Sequence, residues 1–222
     1  MPNPRTNPRK ASVELERLVC DFNLRPDRYM APSWLPGHWP DRHRQQIAFR
    51  PHACMMLAQY TLKSLGLDQQ YDFDFSSQEK RIALIAPDAL GRIADYCGLC
   101  AHKVLLREQR FRHVREASAR HFGKEVLQFV MDRAPDMAAR FKSLPPEPDV
   151  AVGKIRGRGH RLLLGVLETN GPAVYGRAKL KLPRGMVQQG AQGLDMTMRQ
   201  HLAELIILSV IPERISEWDW LF

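Results

Sequence analysis

The chain has 222 residues, 44% of them hydrophobic and 26% charged, an ordinary globular composition with length enough for one sizeable core or two small ones. No run approaches the roughly 20 apolar residues of a membrane span, the opening MPNPRTNPRKAS has no apolar stretch behind its basic residues, and four cysteines exclude a dense disulfide framework, so a reducing cytoplasm is expected. Lys plus Arg outnumber Asp plus Glu by 33 to 24, a formal charge of +9 that favours acidic partners without choosing among nucleic acid, anionic lipid and an acidic protein face.

Residues 1–11 carry Arg5, Arg9 and Lys10 among prolines and read as a disordered basic tail, followed by one helical domain over 12–222. Ser12 reads as the cap of a helix with Val13, Leu15, Leu18 and Val19. FNLRPDRYMAPSWLPGHWP holds too many prolines for a long helix and reads as an irregular segment pinned by Phe22, Tyr29, Trp34 and Trp39. Met55, Ala58, Leu62 and Leu65 set a helix over 52–67 that Gly66 stops. DQQYDFDFSSQE reads as an acidic loop with one or two rings turned inward.

The strongest periodicity follows Pro87, where Leu90, Ile93, Ala94, Cys97, Ala101, Val104 and Leu105 predict a helix to about residue 106. Two more helices are expected up to Gly123 and Pro135, with Glu108–Arg112 and Arg112–Glu116 pairs on the surface of the first. SLPPEPD marks a sub-region break at 143–150, and GKIRGRGHR reads as a flexible basic loop. Asn170 and Gly171 permit a hairpin, although helices on both sides are preferred. GMVQQGAQGL reads as loop, residues 194–211 as a terminal helix stopped by Pro212, and WDWLF as a short exposed tail. The expected fold is mainly α, a compact irregular multi-helix domain with room for minor β structure around residues 160–184.

Cys97 and Cys100 have the spacing of a redox dithiol or half a zinc site. A reactive CxxC needs its first sulfur at a helix N-terminus, whereas Cys97 falls on the buried stripe of an established helix, and no second ligand pair lies at zinc spacing. Packing is therefore the expected role. No nucleophile elbow, phosphate loop, dinucleotide fingerprint or H-E-x-x-H occurs. Lys154, Arg156, Arg158 and Arg161 form a basic run without an acid, yet no helix-turn-helix, RNP or zinc-finger pattern frames it.

Several stretches together are similar to one family. FNLRPDRYMAPSWLP, IALIAPDALGRIADYCGLCAHKVLLREQ with FGKEVLQFVMDRAP, and GHRLLLGVLETNGPAVYGRAKLKLP resemble, in order and spacing over most of residues 20–184, the SctK family of type III secretion systems, also called YscK or PscK. Pro87 to Gly98 match its P-x-x-L-x-x-[LI]-A-x-Y-x-G helix, and Lys179 to Pro183 its [RK]-L-[RK]-L-P segment. The resemblance implies a compact helical, non-enzymatic adaptor of the injectisome sorting platform, without cofactor, metal or small-molecule substrate. Its place would be the cytoplasmic side of the inner membrane. It would bridge the cytoplasmic domain of the ring protein SctD to the pod protein SctQ, leading on to SctL and the ATPase SctN. The cysteine positions are commonly other small or aliphatic residues in that family, which implies an incidental dithiol. The 154–161 run, the basic tail and WDWLF do not align with it. Because Arg and Trp dominate interface energies, Arg156, Arg158 and Arg161 are expected to meet an acidic face of one partner, and Trp218 and Trp220 to be core staples or a second contact. The competing class is a basic helical nucleic-acid-binding protein.

Overall fold

Prolines open many of the helices, where a missing N–H costs nothing and a fixed φ already suits the first turn. The computed structural model describes residues 8–35, 50–135, 143–191 and 193–222. In chain order they form α1 (Pro8–Leu24), two 3-10 turns (Pro26–Arg28 and Pro32–Trp34), α2 (Pro51–Ser64), α3 (Gln78–Ile82), α4 (Pro87–Arg107), α5 (Arg112–Phe122), α6 (Lys124–Arg133), α7 (Pro148–Leu167), α8 (Pro172–Leu180) and α9 (Arg184–Val187). Then α10 (Met196–Leu205) continues through a π turn (Ile206–Val210) into α11 (Ile211–Arg214), and a 3-10 run (Ser216–Leu221) closes the chain. The fold is predominantly helical, and no strand occurs among the described residues.

The centre is the crossing of α4 and α7, the most extensive helix pair among the described residues. Gly98 and Gly159 make it possible. A Cβ on Gly98 would stand 2.3 Å from the Ile155 carbonyl oxygen, and one on Gly159 2.0 Å from that of Ala94. Both helices thus meet backbone to backbone, and Ile93, Ala94, Cys97, Ile155 and Leu162 are fully buried around the contact. Helix α7 also touches α5, α8, α9 and α10, so it is the axle around which the rest pack. One continuous cluster of buried residues runs from Val19 to Leu221.

Four expectations need correction. GKIRGRGHR is not a loop but the middle of α7, because the contact of Gly159 with α4 outweighs the weak helix preference of three glycines. The terminal helix does not stop at Pro212: the π turn before it shifts the hydrogen-bond register, and the helical course reaches Arg214. The minor β structure around residues 160–184 does not form. A type I′ hairpin needs positive φ at both Asn170 and Gly171, and only Gly171 has it, at 91°, as the joint between α7 and α8. Glu108 pairs with Arg110 at 2.6 Å rather than with Arg112, since it sits past the end of α4 with extended ψ, while the Arg112–Glu116 pair forms at 2.9 Å.

Other elements follow the sequence closely. Gly123, at φ 101°, separates α5 from α6, and Gly66, just after α2, also has a positive φ. In the acidic loop Phe75 turns inward, while Tyr71 and Phe73 stay exposed. Helix α1 starts at Pro8, ahead of the expected Ser12 cap, and takes in the end of the expected tail. The start of that tail and Trp39 lie outside the described residues.

A cleft built from the family-like stretches

The aromatic segment after α1 is held against the end of α8 by its own backbone and rings. The Ala31 amide donates to the Leu180 carbonyl at 2.8 Å, Trp34 Nε1 to the Leu182 carbonyl at 2.9 Å, and the Arg184 amide to Ser33 Oγ at 2.9 Å. Lys179 and Arg184 lie 5.9 and 5.6 Å from the Trp34 ring, each close enough for a cation–π contact. KLKLP is therefore the hinge plate onto which residues 29–34 fold. Tyr29 stacks on Phe22 at 5.8 Å and donates its hydroxyl to the Phe22 carbonyl at 2.7 Å.

Lys181 is the cation at the centre of this contact. It is only 4% exposed, its Nζ donates to the Ile85 carbonyl at 2.8 Å, and it stands 5.2 and 5.1 Å from the rings of Phe22 and Tyr29. Burial pulls its pKa down to about 7. A lysine in the unfolded chain titrates near 10.4, so between these values the unfolded state holds the extra proton, and stability rises as pH climbs through the window. Against Lys181→Met, the native protein should gain about 1–2 kcal/mol between pH 7 and 9, less than the full linkage slope because the rings favour the charged form. Urea unfolding at three pH values checks this, and a constant difference would contradict it. The upper limit avoids the opposite contribution of Tyr29, whose pKa burial raises.

Between residues 28–32, the first turns of α4, the middle of α7 and residues 181–183 lies an open cleft of about 500 Å³. Its walls come from four separate stretches of the sequence. Arg28 pairs with Asp21 at 2.6 Å, and Arg92 pairs with Glu217 on the C-terminal run. Deeper, Asp95 of α4 faces Arg156 of α7, with Nε 3.4 Å from Oδ1, and burial raises the Asp95 pKa. His160 keeps Nδ1 on the Arg156 carbonyl at 2.9 Å, and burial lowers its pKa.

The three arginines expected to act together do not share a face. One residue of α-helix turns about 100°, which sets Arg156 and Arg158 about 200° apart. Arg156 looks into the cleft, whereas Arg158 Nη1 lies 3.0 Å from Nε2 of His102. Arginine only donates, so that nitrogen accepts. His102 is fully buried, and burial with the charges of Arg158 and Lys154 lowers its pKa to about 3. Arg161 donates to the Gln189 side chain. Trp218 and Trp220 are half-buried on the C-terminal run and pack against the core, and Arg81 holds that run through the Leu221 carbonyl at 3.0 Å. WDWLF is therefore docked rather than a free tail.

Cys97 and Cys100 are buried in the α4 core, where burial raises the Cys97 pKa and Cys100 Sγ faces the Pro135 carbonyl at 3.6 Å. Such thiols are inert, as the packing expectation has it. No group of three or more His, Cys, Asp or Glu side chains is placed to hold a metal among the described residues, and no helix among them is long and apolar enough to cross a membrane. Sequence reading missed Asp95 as a cleft group. Its one signal is a carboxylate beside the apolar stripe of α4, seven residues after the equally charged Asp88.

No curated protein and no solved structure matches the chain. A family model described as YOP proteins translocation protein K (YscK) matches residues 18–219. That span takes in every wall of the cleft, the α4–α7 crossing and Trp218, and the chain belongs to the YscK family.

Proposed function

We propose that this protein is a non-enzymatic adaptor of the type III secretion injectisome. It works in the cytoplasm at the base of the inner membrane and bridges the cytoplasmic domain of the ring protein SctD to the pod protein SctQ, with SctL and the ATPase SctN reached through SctQ. The observation that carries this reading is the family match over residues 18–219. The chemistry of the interior agrees with it. The groups pushed furthest from their ordinary pKa, Cys97, His102 and Lys181, lie in the packed interior, and His102 and Lys181 are spent on an arginine and a backbone carbonyl. A scaffold of this kind needs two separate faces. We assign one to the cleft face that Arg156 of α7 presents and the other to the outer edges of Trp218 and Trp220, which the C-terminal run carries on a different element.

Co-purification with the SctD cytoplasmic domain and, separately, with SctQ, from nuclease-treated lysate at two salt concentrations, tests the bridge. Capture of both is the expected result. Capture of neither would overturn it, and nucleic acid recovered from an untreated control, with steep salt dependence, would put the basic nucleic-acid-binding reading in its place.

A further inference from the structure

The cleft contains an arginine whose internal partner fits poorly. Arg156 lies 3.4 Å from Asp95 Oδ1 and 3.4 Å from His121 Nε2, while charge-assisted N–H···O bonds close at about 2.7–2.9 Å. No hydrogen bond reaches Asp95 Oδ1 among the described residues, although that oxygen is shielded from solvent. The Asp95 side chain is 18% exposed and that of Arg156 42%, so the carboxylate is at the back and the guanidinium at the mouth. The walls present three cations, Arg28, Arg92 and Arg156, against the carboxylates of Asp88 and Asp95, while the Lys181 ammonium is turned inward onto the Ile85 carbonyl. The pairs that Arg28 and Arg92 make with Asp21 and Glu217 are well exposed on the arginine side, and exposed ion pairs rearrange at little cost.

We propose that this cleft is the docking site for a short acidic segment of a partner protein, whose carboxylate binds Arg156 in the bidentate geometry that Asp95 does not supply. The inference rests on the adaptor reading for the identity of the partner, but not for its chemistry. An incoming glutamate or aspartate would approach from the mouth, with Arg28 and Arg92 at its flanks, while Pro32 and Pro183 cover its apolar stem. Arg158 and Arg161 take no part, since both are held on the other side of α7. Asp95 is then an internal competitor. Its removal should improve binding, an effect that a diffuse basic surface would show equally at Asp88.

The test uses the full chain and a fluorescein-labelled octapeptide of alternating glutamate and serine, followed by anisotropy. Saturable binding is expected, at least tenfold weaker in Arg156→Ala and several-fold tighter in Asp95→Asn. Asp88→Asn should bring a smaller gain, and Arg112→Ala, which removes an exposed and already paired arginine of α5, no change. Circular dichroism confirms that each variant is folded, and Asp95→Asn keeps the test decisive if Arg156→Ala does not fold. No binding, or equal losses in Arg156→Ala and Arg112→Ala, would overturn the proposal. So would Arg156-dependent displacement of the peptide by single-stranded DNA or by phosphatidylglycerol vesicles at lower concentration than by the SctD domain or SctQ. Capture of neither SctD nor SctQ alongside Arg156-dependent peptide binding would sink the adaptor reading and leave the acidic-segment site standing.

Discussion

Alanine at Gly159 is expected to destabilise the protein by about 3 kcal/mol, while alanine at Gly153 or Gly157 on the same helix is expected to stabilise it by about 0.5–1 kcal/mol. The three positions share a residue type and an element, so helix propensity alone predicts the same gain at each. They differ in what a methyl group would meet. At Gly153 and Gly157 no described atom lies within 4 Å, whereas at Gly159 the new carbon would stand 2.0 Å from a backbone oxygen of α4 and 2.8 Å from the Gly98 amide nitrogen. Backbone on a packed helix cannot swing aside as a side chain can, so α4 and α7 must separate along their whole contact. Such overpacking costs about 1–3 kcal/mol where neighbours yield, and this site has the least room to yield. For a domain of this size the loss corresponds to a fall in Tm of roughly 10 °C. Gly98→Ala should behave likewise, and the double variant should cost less than the sum, because helices already pushed apart admit the second methyl more easily. Urea denaturation of the four single variants and the double decides the matter. A uniform gain at all four glycines would mean that the crossing is looser than its geometry.

The same glycines show what could and could not be read from the sequence. Helix α4 is legible almost to the residue, because Pro87 sets its start and apolar residues recur every three or four positions to its end. The tighter joints at Gly123 and Pro135 were equally plain. GKIRGRG was misread because three glycines in seven residues disfavour helix locally, and the reason for helix there lies about 60 residues away, in Gly98. Pro212 was misread for the converse reason. A proline normally ends a helix at the preceding residue, but the π turn over Ile206–Val210 shifts the hydrogen-bond register just ahead of Pro212, and the helical course continues to Arg214.

The candidate site was less legible, since charge in a sequence does not declare its burial. Nothing in the sequence sets Lys181 and Arg177 apart from their basic neighbours, yet both side chains are in the core and donate to backbone carbonyls. The arginines of α7 could be proposed as contacts from their charge but not sorted, because the sorting depends on the helix that the glycines concealed. Once α7 is helical, Arg156 goes to the cleft and Arg158 to His102. The two cysteines, by contrast, were placed correctly, since their position on the apolar stripe of α4 is a local property.

Replacing Arg177 by methionine is expected to cost about 3–4 kcal/mol, despite removing a buried charge that has no carboxylate beside it. Arg177 is 0% exposed. It donates to the carbonyl of Gln70, to that of Leu67 at 3.0 Å and to that of Asn23 at 3.4 Å, and its guanidinium stacks over Tyr71 at 5.3 Å. Asn23, itself 1% exposed, joins the same hub through Nδ2 to the Asp72 carbonyl at 2.7 Å and through Oδ1, which accepts from the Asp72 amide at 3.0 Å. One side chain of α8 thus ties the end of α1 to the loop after α2. Two effects oppose each other in the variant. Methionine relieves the cost of burying a cation, a relief that can make hydrophobic replacements of buried ion pairs neutral or stabilising. That outcome needs the partners to be replaced too, and here the partners are carbonyls that remain. Each stranded acceptor costs about 1–3 kcal/mol; the Leu67 carbonyl keeps the Gln70 amide at 3.3 Å, but those of Gln70 and Asn23 lose the guanidinium, so the loss exceeds the relief. Arg177→Lys should fall between, because a shorter single ammonium cannot span carbonyls from both segments. Hydrogen exchange separates this account from general unfolding: amides of residues 67–72 and of the segment leading to the cleft should lose protection first, while those at the α4–α7 crossing keep theirs. A methionine variant as stable as the native protein would show that charge relief prevails, and that the hub holds through Asn23 alone.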